Sequence, residues 1–292
     1  MTTTDTMETR VLEVPGAVLR YDIRRAATPG EHPPLLLAGS PMDASGFPTL
    51  AGYFTDRTVV TYDPRGTGRS ERTDDADEYT PEQHADDLRR VIEAVGAGPV
   101  DLFGSSGGAV NALTLVSRHP ELVRTLVAHE PPSSQFLPDQ KIIDAVCDDM
   151  RATYYAEGMG KAMAKFIQLV SLRGELPTDY LDRPAPDPAT FGLPAEDDGD
   201  RSDPLVGLNI RTCTPYRFDI DALRAASTRI VLAVGEKSEG EIAHRGGASV
   251  AVALGGAAVT FPGDHSGFLG GEFGMHGEPE GFAAALRAAL DG

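Results

Sequence analysis

Short solid apolar runs alternate with helical stripes along most of this chain. Residues 11–14 and 18–23 flank a Pro15-Gly16 turn and predict two antiparallel strands. The runs at 35–38, 58–62, 100–103, 123–128, 230–234 and 258–261 are short and largely apolar, the pattern of strands covered on both faces. Helical patterns lie between them. One is expected over 44–54. A second starts at Thr80 as N-cap, with Pro81 in the first turn and Gln83 as capping-box partner; Leu88, Val91, Ile92 and Val95 share a face, and Gly96 stops it. A third follows Gly108 and runs through Val116, a fourth falls within 241–254, and Phe282, Leu286 and Leu290 mark a last one over 279–290. Strands alternating with helices predict an α/β fold: a mostly parallel, doubly covered sheet, here of eight strands. Chemistry in such sheets collects at the carboxyl ends of the strands, where Ser40, Asp63, Ser106 and Glu130 fall.

The alternation stops between 138 and 226. Ile142, Ile143, Val146, Met150 and Tyr154 fit one helical face, and Met163, Phe166, Ile167 and Val170 fit another after a break at Gly158-Met159-Gly160. A helical insertion after a strand would sit over the strand ends as a cap. The expected organisation is therefore a core of 1–137 and 227–292 with a helical cap of 138–226. Within the cap, 194–204 is acidic and bounded by prolines, and a mobile loop is expected there.

Composition narrows the chemistry. The net charge of −18 repels phosphate backbones and anionic bilayers, so neither nucleic acid nor a membrane is an expected partner. Two cysteines in 292 residues make no disulfide framework, which points to a reducing, cytoplasmic setting. Met1 to Arg10 lacks the apolar core of a signal peptide, and no run approaches the ~20 apolar residues of a membrane helix. No metal-ligand constellation and no dinucleotide fingerprint is present, so no cofactor is expected.

Gly104-Ser105-Ser106-Gly107-Gly108 joins a predicted strand to a predicted helix. A serine on so sharp a turn holds its hydroxyl in the open, and side chains at the flanking glycines would meet the neighbouring elements. The helix N-terminus behind Ser106 offers free N–H groups to an oxyanion. A serine hydroxyl needs a base to take its proton. Among the seven histidines, His265 follows a late strand in a Gly-rich loop; His84, His119 and His244 sit in or at helices, and His32 and His276 in polar loops. His129, at a strand end beside Glu130, is the rival.

With the Gly39-Ser40-Pro41 loop, Asp63-x-Arg65-Gly66-x-Gly68-x-Ser70, the Gly104-x-Ser106-x-Gly108 elbow, a strand ending at Gly235 and Gly263-Asp264-His265, the chain resembles the α/β-hydrolases over nearly all of its length outside the cap. The resemblance implies a Ser–acid–His triad in that chain order, with Ser106 and His265 as two members. It places the acid three residues after the Gly that ends the penultimate strand, and there this chain has Ser238. Some members carry the acid after the strand that follows the elbow, the place of Glu130. Glu236 and Glu239, which flank Ser238, are the alternative acids; a site with no carboxylate is the third option. The resemblance also implies oxyanion-hole N–H groups at Gly107 and in the loop after the third strand, where Pro41 has none and Ser40 is the candidate. The family often has His before that loop's Gly; this chain has Ala38.

The expected function is that of a serine hydrolase, esterase- or lactonase-like, acting on a small hydrophobic ester, lactone or related acyl substrate through an acyl-enzyme. The alternatives are a repurposed hydrolase working as a cofactor-free lyase, isomerase or oxygenase, and a ligand-binding module.

Overall fold

The computed structural model describes residues 7–26 and 32–292, so the first six residues of the leader reading lie outside it. In chain order the elements are β1 (Met7–Val14), β2 (Ala17–Arg24), β3 (Leu35–Ala38), α1 (Pro48–Gly52), β4 (Val59–Asp63), β5 (Glu71–Arg72), α2 (Pro81–Val95), β6 (Val100–Ser105), α3 (Gly107–Arg118), β7 (Val123–His129), α4 (Gln140–Glu157), α5 (Met159–Val170), α6 (Ile210–Cys213), α7 (Ile220–Ala225), β8 (Arg229–Gly235), α8 (Ile242–Ala253), β9 (Val259–Phe261) and α9 (Pro279–Asp291). The main sheet runs β1-β2-β4-β3-β6-β7-β8-β9. β1, β2 and β4 pair antiparallel, and every pair from β4–β3 to β8–β9 is parallel. The eight expected strands are all present. A two-residue ninth, β5, pairs with β2 and was not legible, because Glu71-Arg72 has no apolar pattern. β1 begins at Met7, four residues ahead of the expected strand, since its exposed outer face carries polar residues there.

Two apolar layers sandwich the sheet. One gathers Leu36, Leu102, Val110, Leu113 and Leu88 with α2 and α3. The other gathers Phe47, Phe54, Phe103, Phe261, Phe282 and Leu286 with α1 and α9. α2 is closed as its sequence predicts: Thr80 Oγ1 accepts the Gln83 N–H at 3.3 Å, Gln83 Oε1 accepts the Thr80 N–H at 3.0 Å, and Gly96 turns left-handed at φ 70°.

The Asp63 to Ser70 loop is braced by charge. Arg65 makes a bidentate pair with Asp87 on α2, both bonds 2.8 Å, and reaches the Pro15 carbonyl. Asp63 accepts the Ala44 N–H at 3.0 Å and Arg69 Nε at 2.7 Å, so this loop is tied to the later half of the β3–α1 connection.

Between β7 and β8 the chain is helical. α4 and α5 form their own apolar cluster through Ile143, Val146, Met150 and Leu169. The stretch 194–204 is irregular and largely exposed, and it leads into a π-helical turn, Pro204–Asn209. Towards the end of 138–226, Phe218 and Leu223, the latter in α7, pack with the cluster of α2 and α3. No helix among the described residues is long and apolar enough to cross a membrane.

Candidate active site

β6 ends at Ser105, and the chain turns at Ser106 with φ 57° and ψ −126°, a conformation an L-residue seldom holds. Such backbone stores on the order of 1–3 kcal/mol and persists where its surroundings fix it. Here the Ser106 N–H donates to the His129 carbonyl on β7 at 2.9 Å, and the Ser106 carbonyl accepts the Ala109 N–H at 2.9 Å. The turn needs its glycines. A Cβ on Gly104 would lie 2.8 Å from the Gly108 carbonyl oxygen, and one on Gly107 would lie 2.5 Å from the Ser40 carbonyl oxygen. The second contact brings the Ser40 loop against the elbow, so both expected oxyanion donors come from segments in direct contact. Gly107 opens α3, and its N–H has no partner within the helix.

β7 ends at His129, and Glu130 follows with φ 47°. Its N–H donates to the Ala233 carbonyl at 2.9 Å, which holds the backbone of Glu130 against β8. The side chain is fully buried. Glu130 Oε2 lies 2.6 Å from His265 Nδ1. Oε1 accepts the Gly235 N–H at 2.9 Å and the Ser238 hydroxyl. Burial alone would raise this carboxyl; the His265 bond, the nearby imidazoles and the Ser238 hydroxyl outweigh it and hold the group at about 2, below its ordinary 4.5. A carboxylate only accepts, so His265 Nδ1 carries the proton of this bond, which leaves Nε2 as the acceptor nitrogen of the neutral ring.

Of the carboxylates that the sequence offers as the acid, the fold brings Glu130 to the histidine. Glu236 and Glu239 are exposed on either side of Ser238, and neither hydrogen-bonds His265. Ser238 points inward and donates to Glu130, so the usual acid position here supports a carboxylate delivered from the next strand. That support was missed, because a lone serine in a loop carries no signal until its partner is known. Asp264 is exposed, and its carboxylate accepts the Ser266 N–H.

His129, the rival base, is buried among Phe103, Phe261, Phe268 and Phe282. Burial drives its imidazole down to about 3, so it stays neutral, with Nδ1 3.3 Å from Ser105 Oγ. Ser105 is thus buried, with its hydroxyl against the His129 ring.

A cavity of about 1130 Å³ opens above the elbow, lined by Ser40, Ser106 and His265 from the sheet and by Tyr154, Met163 and Phe166 from α4 and α5. The apolar faces expected of 138–226 therefore divide: Ile143, Val146 and Met150 fill the interior between helices, while Met163 and Phe166 wall the cavity. Among the described residues, no group of three or more His, Cys, Asp or Glu side chains could hold a metal ion.

Residues 35–195 match the family model described as the alpha/beta hydrolase fold. The chain belongs to the α/β-hydrolase family. This α/β-hydrolase is 30% identical over 271 residues to YraK, an uncharacterized hydrolase of Bacillus subtilis strain 168, with 90% of this chain and 91% of the relative covered. Its fold matches a hydrolase from Pseudomonas aeruginosa PA01 at a TM-score of 0.67 and 20% identity, covering 97% and 98% of the two chains. It also matches the enol-lactonase from Burkholderia xenovorans LB400 at a TM-score of 0.64 and 18% identity, covering 97% and 100%. At these identities the structural matches speak for the fold, and the α/β-hydrolase architecture expected from the sequence is the one present.

Proposed function

We propose that this enzyme is a serine hydrolase for a small apolar ester, lactone or related acyl substrate, working through an acyl-enzyme. The observation that carries the reading is the 2.6 Å bond from buried Glu130 to His265, whose imidazole lines the same cavity as Ser106. In this reading Ser106 Oγ attacks the carbonyl carbon while His265 Nε2 takes its proton. Glu130 remains ionised and stabilises the imidazolium. The oxygen of the tetrahedral intermediate accepts from the N–H groups of Gly107 and Ser40. Collapse returns the proton to the leaving alcohol and leaves an ester on Ser106. Water, deprotonated by His265, then attacks that ester and frees the acid. The helical segment between β7 and β8 acts as a cap that closes this cavity from above.

Labelling with a fluorophosphonate followed by peptide mass spectrometry tests the reading. Covalent phosphonylation is expected at Ser106 and at no other serine. An unmodified Ser106 would favour the lyase, isomerase, oxygenase or binding-module alternatives.

A further inference from the structure

The cavity has two kinds of wall. Met42, Met159, Met163, Met275, Phe166 and Leu205 make one, and four of the chain's seven methionines are in it. Thioether side chains are unbranched and polarisable, so such a wall adjusts to apolar groups of different shape. The other wall is acidic: Asp43 from the Ser40 loop, and Asp198, Asp200 and Asp203 from the segment over the cavity. Among the described residues no Lys or Arg lines the space, and His265 is already engaged by Glu130. The cations next to the lining in sequence are paired with carboxylates: Arg65 with Asp87, Arg69 with Asp22 and Asp63, Lys161 with Glu157, Lys165 with Asp149, and Arg201, whose guanidinium also lies over the Tyr154 ring, with Asp197. A carboxylate entering this space would find apolar surface, like charge and no Lys or Arg in the lining to pair with.

We infer that the site selects acyl substrates whose variable part is an uncharged or cationic apolar chain, and that it rejects chains ending in a carboxylate. This rests on the serine-hydrolase reading for the position of the reacting carbonyl, but the charge preference belongs to the cavity itself. Asp198 and Asp200 are exposed, so their repulsion acts through solvent and is screened by salt. A steric rejection would not respond to salt.

The test compares p-nitrophenyl hexanoate with mono-p-nitrophenyl adipate, alike in reach but differing in a terminal carboxylate. At low salt, kcat/KM for the adipate ester should be lower by about tenfold or more, and the gap should narrow by about half a molar salt. The D198N/D200N double variant should narrow it by about threefold or more at low salt. Equal turnover of the two esters, or a gap indifferent both to salt and to the double variant, would overturn the inference. Calorimetry of octanamide and octanoate with the S106A variant reads the same preference without turnover. Octanoate should bind at least about tenfold more weakly, and equal affinity would overturn the proposal even if no ester were hydrolysed. Failure of hydrolysis and of labelling, with the binding preference intact, would instead count against the serine-hydrolase reading alone.

Discussion

Ser106 and Glu130 both hold positive φ, and each begins the segment that follows a strand of the sheet. The two are tied to one neighbour: the Ser106 N–H bonds the His129 carbonyl, and Glu130 is the next residue. The S106A variant should fold, keep its circular dichroism spectrum, and lose turnover of a short p-nitrophenyl ester by about a hundredfold or more. Full activity in S106A, with S105A inactive, would move the nucleophile by one residue. Glu130→Gln tests the acid. The amide oxygen could still accept from Gly235 and Ser238, which would leave its NH₂ facing His265 Nδ1. The imidazole would then carry its proton on Nε2 and lose its lone pair where the base is needed. The expected loss in kcat is on the order of a hundredfold or more, as when an amide replaces the buried carboxylate of a protease triad. E236Q and E239Q should stay within about twofold of the parent, because both side chains are exposed. A steady-state comparison of the three variants checks this, and normal turnover in Glu130→Gln would remove the residue from the mechanism.

At the scale of elements, β6, β7 and β8 are adjacent parallel strands, and their carboxyl ends supply Ser106, Glu130 and the Gly235 N–H in one row. Adjacent strand ends lie about 5 Å apart, close enough for neighbouring side chains to cooperate. This is why an acid after β7 can reach the histidine that follows β9. The segment over the cavity is built differently along its length. α4 and α5 hold a common apolar cluster, whereas 194–203 is mostly exposed, irregular chain between that cluster and the π-helical turn. Limited proteolysis should make its first cut within 194–203, with fragment masses locating it. A first cut in 63–70 would contradict the layout, since buried Asp63 and Arg65 anchor that loop.

For the whole molecule, the carboxylates that brace the fold also set its response to acid. Glu130 sits at about 2, and Asp63 and Asp139 are likewise lowered: burial works to raise both, but bonds from Arg69 and Arg245 prevail. Groups depressed in the folded state stabilise it above their ordinary range, and that stability is lost as pH falls through it toward the folded value. The melting temperature should therefore drop steadily between about pH 5 and pH 2. The difference in melting temperature between the parent and Glu130→Gln should shrink over the same window, and a constant difference would show that the Glu130 charge does not contribute. How legible all this was follows from the range of the forces involved. Apolar periodicity, the capping box at Thr80 and the glycines around Ser106 act within a few residues, so the strand–helix alternation, the α/β class, the elbow and the placing of His265 after the last main strand could be read from the chain. β5 could not, since it exists only because the loop after β4 folds back onto β2. Nor could which of Glu130, Glu236 and Glu239, all acidic and all near strand ends, lies against His265. That contact follows from strand order, which sets β7 beside β8, turns Ser238 inward and buries the Glu130 carboxylate against the imidazole. Which methionines and aspartates share a cavity with Ser106 was likewise decided by packing between segments far apart in the chain, to which local pattern is blind.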